Sequence, residues 1–141
     1  MAIIENDEAT LIQNGEVMTD LIAGDVMVLT PVNPHSSQID SNGGGVTINK
    51  RTNADVYDLQ VNTQRMGAAD RFYQKVINSD GIVVINGSVK QDYVRDGVSG
   101  VESWTLGTGT ITTQPTDTKN NTDGNAGRQY TIRFRNVRRN L

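Results

Sequence analysis

The chain has 141 residues, of which 35% are hydrophobic and only 5% aromatic, enough apolar material for one modest core and a single domain. Cysteine is absent and His35 is the only histidine, which excludes disulfide scaffolds, thiol chemistry, cysteine-ligated metals and any site needing two histidines. A net charge of −3 hides two opposed ends: residues 1–49 hold seven acids and no lysine or arginine, while residues 128–141 hold five arginines and no acid.

The start, MAIIENDEAT, is acidic and has no signal-peptide core, and the apolar run Ile82–Ile85 is too short to cross a bilayer as a helix. The composition reads as a soluble chain made in the cytoplasm. Residues 1–14 read as an acidic arm and 15–141 as one domain. Thr, Asn and Gly are abundant, which favours strands joined by turns over long helices.

Strand candidates then follow in order. Gly15–Ile22 and Asp25–Thr30 flank the break at Ala23-Gly24, and Val46–Lys50 follows a Gly-rich loop. Over Asp55–Asn62, Tyr57, Leu59 and Val61 alternate with Asp58, Gln60 and Asn62, the period of a strand covered on one face. From Met66 to Ser79 the rhythm changes. Met66, Ala69, Phe72, Tyr73, Val76 and Ile77 share a helical face, Asp70, Arg71, Gln74 and Lys75 fall mostly away from it, and Asp80-Gly81 reads as the stop. Ile82–Ile85 meets Asn86-Gly87, read as a hairpin turn, with Ser88–Val94 returning. Asp96-Gly97 marks the next turn. Val101–Leu106 and Thr108–Thr113 read as strand halves about a bulge or bend at Gly107, Pro115–Gly127 as a polar loop, and Gln129–Val137 as a last strand. The expected fold class is mainly β: a two-sheet β-sandwich or split barrel with one flanking helix near residues 66–79.

Motifs with chemical content are sparse. Gly43-Gly44-Gly45 lacks the following helix and Gly-Lys-Ser/Thr ending of a phosphate loop, and reads as a hairpin tip. Gly107-Thr108-Gly109 lacks the third glycine of a dinucleotide fingerprint. Asp117 to Asn125 is rich in oxygen donors but does not follow a calcium-loop pattern. No nucleophile has a visible base, so the chain reads as neither an enzyme nor a cofactor or metal protein. The basic C-terminal strand suits phosphate contact, yet it has few exposed aromatics and the chain is acidic overall. The asymmetry fits a third reading, in which the basic end of one copy meets the acidic end of the next, head to tail. Charge-matching candidates are Glu5, Asp7, Glu8, Glu16 and Asp20 against Arg128, Arg133, Arg135, Arg138 and Arg139.

The layout resembles the tail tube proteins of contractile-tailed bacteriophages, related in fold to type VI secretion and pyocin tubes. The segment DVYDLQVNTQRMGAADRFYQKVINSDG carries the likeness, supported by GIVVINGSVKQDYV and TGTITTQP. The resemblance implies a non-catalytic virion protein, made in the bacterial cytoplasm, whose six-copy rings stack into a tube that passes genomic DNA. It also implies sheath, baseplate or initiator, and tape-measure partners, with no membrane insertion by this chain. On that footing Asp58, Gln60 and Asn62 are the lumen candidates. Asn42, Gly43, Gly44 and Gly45 form the stacking loop, which, like the arm, is expected to order on stacking. Rival readings are a tail terminator, a head decoration protein, or a carbohydrate-binding module for which Trp104 is the one platform candidate.

Overall fold

In the computed structural model, residues 4–22, 26–117, 119 and 127–140 are described, with side chains from residue 9 onward. The fold is mainly β, with two sheets, one helix and no closed barrel among the described residues. The strands are β1 (Ile4–Gln13), β2 (Glu16–Val17), β3 (Met27–Pro31), β4 (Ser36–Asp40), β5 (Val46–Lys50), β6 (Tyr57–Thr63), β7 (Ile85–Arg95), β8 (Val98–Thr113), β9 (Arg128–Arg135) and β10 (Arg138–Asn140). The helix α1 spans Ala68–Ile77. Seven strands run in the order β2-β1-β7-β8-β9-β6-β3, β10 pairs with β8, and β4 and β5 form a separate ribbon.

Alternation explains why this sheet has an inside. On β6, Leu59 and Val61 are buried while Asp58, Gln60 and Asn62 are half-exposed, and on β9 Tyr130, Ile132 and Phe134 are buried while Arg133 and Arg135 are exposed. The long sheet curls so that its two ends face each other. Ala9 of β1, Val89 of β7 and Trp104 of β8 line one groove with Met27 and Leu29 of β3, and the Tyr57 and Trp104 rings meet edge to face at 5.5 Å. The helix packs on the core side, its Ala69 and Tyr73 fully buried against the same cluster.

Three of the six Asn-Gly and Asp-Gly pairs show how context decides their fate. Asn14-Gly15 turns β1 into β2 and Asp96-Gly97 turns β7 into β8, with φ positive at both residues of each pair. Asn86-Gly87, read from sequence as a hairpin, lies inside β7 instead. A side chain at Gly87 would put its Cβ 2.0 Å from the Ile12 carbonyl oxygen, so this glycine serves the close approach of β1. Opposite it the register slips, Ile85 and Gly87 pairing with Gly109 and Leu106, which places the extra residue on β8 at the expected bulge around Gly107.

Residues 4–13 of the segment expected as an arm run as β1, hydrogen-bonded to β7 from Ile4↔Arg95 to Gln13↔Gly87. The β4–β5 ribbon extends the β3–β6 pair: Val32 N–H donates to Val56 O at 3.0 Å, the Asn33 amide to Asn53 O at 3.0 Å, and Arg51 N–H to His35 O at 3.2 Å. Its tip is Ser41–Gly45, where Gly43 and Gly44 take φ of 101° and 96°, open to glycine at no steric cost.

Candidate functional surfaces

The lumen candidates Asp58, Gln60 and Asn62 belong to a broad polar face. Cross-strand register puts Thr30 beside Asp58, Asp58 beside Arg133 and Arg133 beside Thr110; one step along, Val28, Gln60 and Thr131 stand in a row. With Thr108, Thr112, Gln129 and Arg135, the outer face of β8–β9–β6–β3 carries one acid and two arginines amid threonines and amides. It lies opposite the core and the helix. Arg133 donates from Nε and Nη2 to the two Asp58 oxygens at 2.8 and 3.1 Å, so this pair neutralises itself in one chain. The Asp58 carboxylate holds the Arg133 pKa above its ordinary value. Gln129 donates to Gln60 at 3.3 Å and Thr112 to the Thr131 carbonyl at 3.3 Å. Arg135 has no carboxylate partner among the described residues.

The other charge-matching candidates are dispersed. Arg128 bonds Asp70 at 2.6 Å in a buried ion pair, and Asp70 also accepts from Tyr130 Oη at 2.5 Å and from Met66 N–H at 3.0 Å. Reading Asp70 as pointing mostly away from the apolar helix face is therefore corrected: it is fully buried. The signal was present, because Asp70, Tyr73 and Ile77 recur at three and four residues, one stripe of a helix, whereas Met66, expected on the same face, precedes α1 with φ 63° and is 61% exposed. Burial opposes the Arg128 charge, but the Asp70 carboxylate outweighs it and the net pKa shift is upward. Burial, then the hydrogen bond donated to Asp70, pushes the Tyr130 hydroxyl up to about 12. Tyr73, also pushed up by burial, donates to Gln13 on β1, which ties the helix to that strand as well.

Arg139 bonds Glu102 at 3.1 Å and lies 5.6 Å from the centre of the Trp104 ring, so that tryptophan is half-buried under a guanidinium rather than offered as a sugar platform. Arg138, like Arg135, is exposed and without a carboxylate partner among the described residues. Asp20 caps the helix, its carboxylate accepting from Ala68 N–H at 3.0 Å. Glu16 is exposed on β2, beside the groove lined by Phe72 and Lys75 of α1. On β1, Asp7 and Glu8 stand opposite Tyr93 and Asp92 of β7 and Glu5 falls in the register irregularity between Ile4 and Asp7, their side chains outside the described residues. Most of the oxygen-rich Asp117–Asn125 stretch lies outside them too. Asp117 itself meets Arg65 at 3.1 Å and Lys119 at 2.7 Å, and the Lys119 hydrogen bond, partly opposed by desolvation, leads the fall of its pKa to about 2.

Asn42, Gly43, Gly44 and Gly45 stand at the ribbon's tip. Ile39, Val46 and Ile48 behind it are 60%, 55% and 68% exposed, so this hairpin has almost no packing from its own chain.

No protein-family model matches the sequence, and no curated protein does. Solved structures do match the fold. A chain of the cryo-EM structure of an extracellular contractile injection system, the PVC sheath–tube complex in its extended state, superposes with a TM-score of 0.61 at 8% identity, covering 94% of this chain and 88% of that one. A chain of the six-fold-symmetrised anti-feeding prophage baseplate gives a TM-score of 0.54 at 14% identity, covering 94% and 90%. The chain has a tail-tube-like fold, one found in contractile injection systems.

Proposed function

We propose that this protein is a non-catalytic structural subunit of a contractile tail, a tube protein whose copies join in six-fold rings and stack into a hollow conduit for DNA. The observation that carries the reading is the polar outer face of β8–β9–β6–β3, backed by a continuous apolar core and opposite the helix, in a chain whose fold is shared with contractile injection systems. A wall needs one face that binds nothing strongly and another that is packed solid. Here the wall residues are Asp58, Gln60 and Asn62 with Gln129, Thr131 and Arg133, and the Asp58–Arg133 pair removes one charge that would hold passing phosphate.

Stacking falls to the β4–β5 ribbon and its Asn42–Gly45 tip. A lone two-stranded hairpin is marginal in water, so exposed Ile39, Val46 and Ile48 gain most when a neighbouring copy covers them. Arg128, Arg133 and Arg139 already have partners in their own chain and Arg135 stands on the polar face beside Thr108, so contact with a neighbour's acids rests on Arg138, with Glu5, Asp7, Glu8 and Glu16 as its counterparts. Sheath, baseplate and tape-measure proteins are the partners of such a tube, and its place is the phage tail. The likeness to a baseplate chain favours a second reading, a subunit of the ring that starts the tube.

Negative-stain electron microscopy of the purified protein, concentrated stepwise at low and high salt, tests this. Hollow rings or stacked tubes are the expected result; single particles at every concentration overturn self-assembly.

A further inference from the structure

On the polar face, β8 and β9 border a groove of about 380 Å³ lined by Val84, Thr108, Gly109, Thr110, Thr112, Arg133 and Arg135. The register explains its chemistry. Thr108 stands opposite Arg135 and Thr110 opposite Arg133, so two hydroxyls and two guanidiniums edge one depression. Gly109 faces the core, where its missing side chain leaves room for the Phe134 ring. Arg133 spends Nε and Nη2 on Asp58, which leaves Nη1 unused, and Arg135 has its full fork of donors. A planar guanidinium beside hydroxyl donors is the arrangement that holds a tetrahedral oxyanion.

We propose that this groove is a phosphate-contacting site, at which Arg135, helped by Thr108, Thr110 and the free edge of Arg133, takes one phosphodiester of a nucleic acid lying along the face. Phosphate recognition stands on the groove alone, while its place in a conduit rests on the tube reading above. With one uncompensated arginine per copy, each contact is weak and salt-sensitive, in keeping with a wall that binds nothing strongly.

The test titrates the isolated protein first with inorganic phosphate and then with a short single-stranded oligonucleotide, following arginine Nε–H and backbone amide signals by NMR. Expected are saturable shifts at Arg135 and residues 108–112 with both probes, weakened roughly tenfold in Arg135→Gln. The salt slope of oligonucleotide binding should fall by about 0.7 in that variant. Asp58→Asn should tighten binding, because it frees Arg133. Shifts that survive in Arg135→Gln, saturation by inorganic phosphate without any by the oligonucleotide, or an Asp58→Asn variant that binds no tighter each overturn the proposal. Rings without phosphate shifts leave the tube reading standing and remove this one; shifts without rings do the reverse.

Discussion

Two Arg–Asp pairs on β9, five residues apart, should differ widely in their value to the fold. Asp58–Arg133 is open to water, its side chains 27% and 44% exposed, so Asp58→Asn should barely move stability. Asp70–Arg128 is 1% and 11% exposed. Asp70→Asn keeps the shape but strands the Arg128 charge, and it supplies one acceptor oxygen where the carboxylate served Tyr130, Met66 and Arg128 together. Breaking a buried pair costs about 3–5 kcal/mol. The slight exposure of Arg128, and Asp117 at 3.5 Å from it, place this case at about 3 kcal/mol. With a urea slope near 2 kcal/mol per M, the unfolding midpoint should fall by about 1.5 M. Urea titration followed by the fluorescence of the single Trp104 measures both variants. The double variant Asp70→Leu with Arg128→Met should recover only part of the loss, because the Met66 N–H and Tyr130 hydroxyl lose their acceptor. Equal midpoint shifts for Asp70→Asn and Asp58→Asn would refute the argument from burial.

Two further outcomes follow from the same geometry. Gly87→Ala should destabilise by about 3 kcal/mol or more, since its Cβ meets backbone at 2.0 Å, whereas Gly15→Ala, at φ 81° with nothing nearby, should lose about 1 kcal/mol; thermal melts of the two rank them. Tyr130 titrates near 10 when unfolded and about 12 when folded, so its share of stability is complete below pH 10 and is lost as pH rises from 10 through 12. The urea midpoint should fall across that window, and less steeply in Tyr130→Phe.

What the sequence discloses depends on whether one face or several partners decide a residue's setting. β6 and α1 are legible because a single periodicity governs each. β1 and β4 are not: IENDEATLIQ and SSQID carry few apolar positions, and they become strands through β7 and β5, which lie far along the chain or across a loop. Asn86-Gly87 carries the same local turn preference as Asn14-Gly15, and only the approach of Ile12 decides between them. The arginine-rich end is visible in composition, but which arginines are already paired depends on cross-strand neighbours some 75 positions away, as Asp58 is from Arg133.

That same separation orders events in time. β1 is made well before its partner β7, which ends at Arg95, and β6 waits for β9, which starts only at Arg128. Emerging from the ribosome, the chain pairs its β4–β5 ribbon early but cannot complete the main sheet until β9 has followed, and its folding belongs with the slow, milliseconds-to-seconds class of non-local β topologies. The face read here as a tube wall needs β9 alongside β6 and β8, so it comes into being only after Arg128–Arg135 has emerged. A truncated chain lacking β9 has no such wall to offer, and on the tube reading proposed above that would keep incomplete copies out of an assembly.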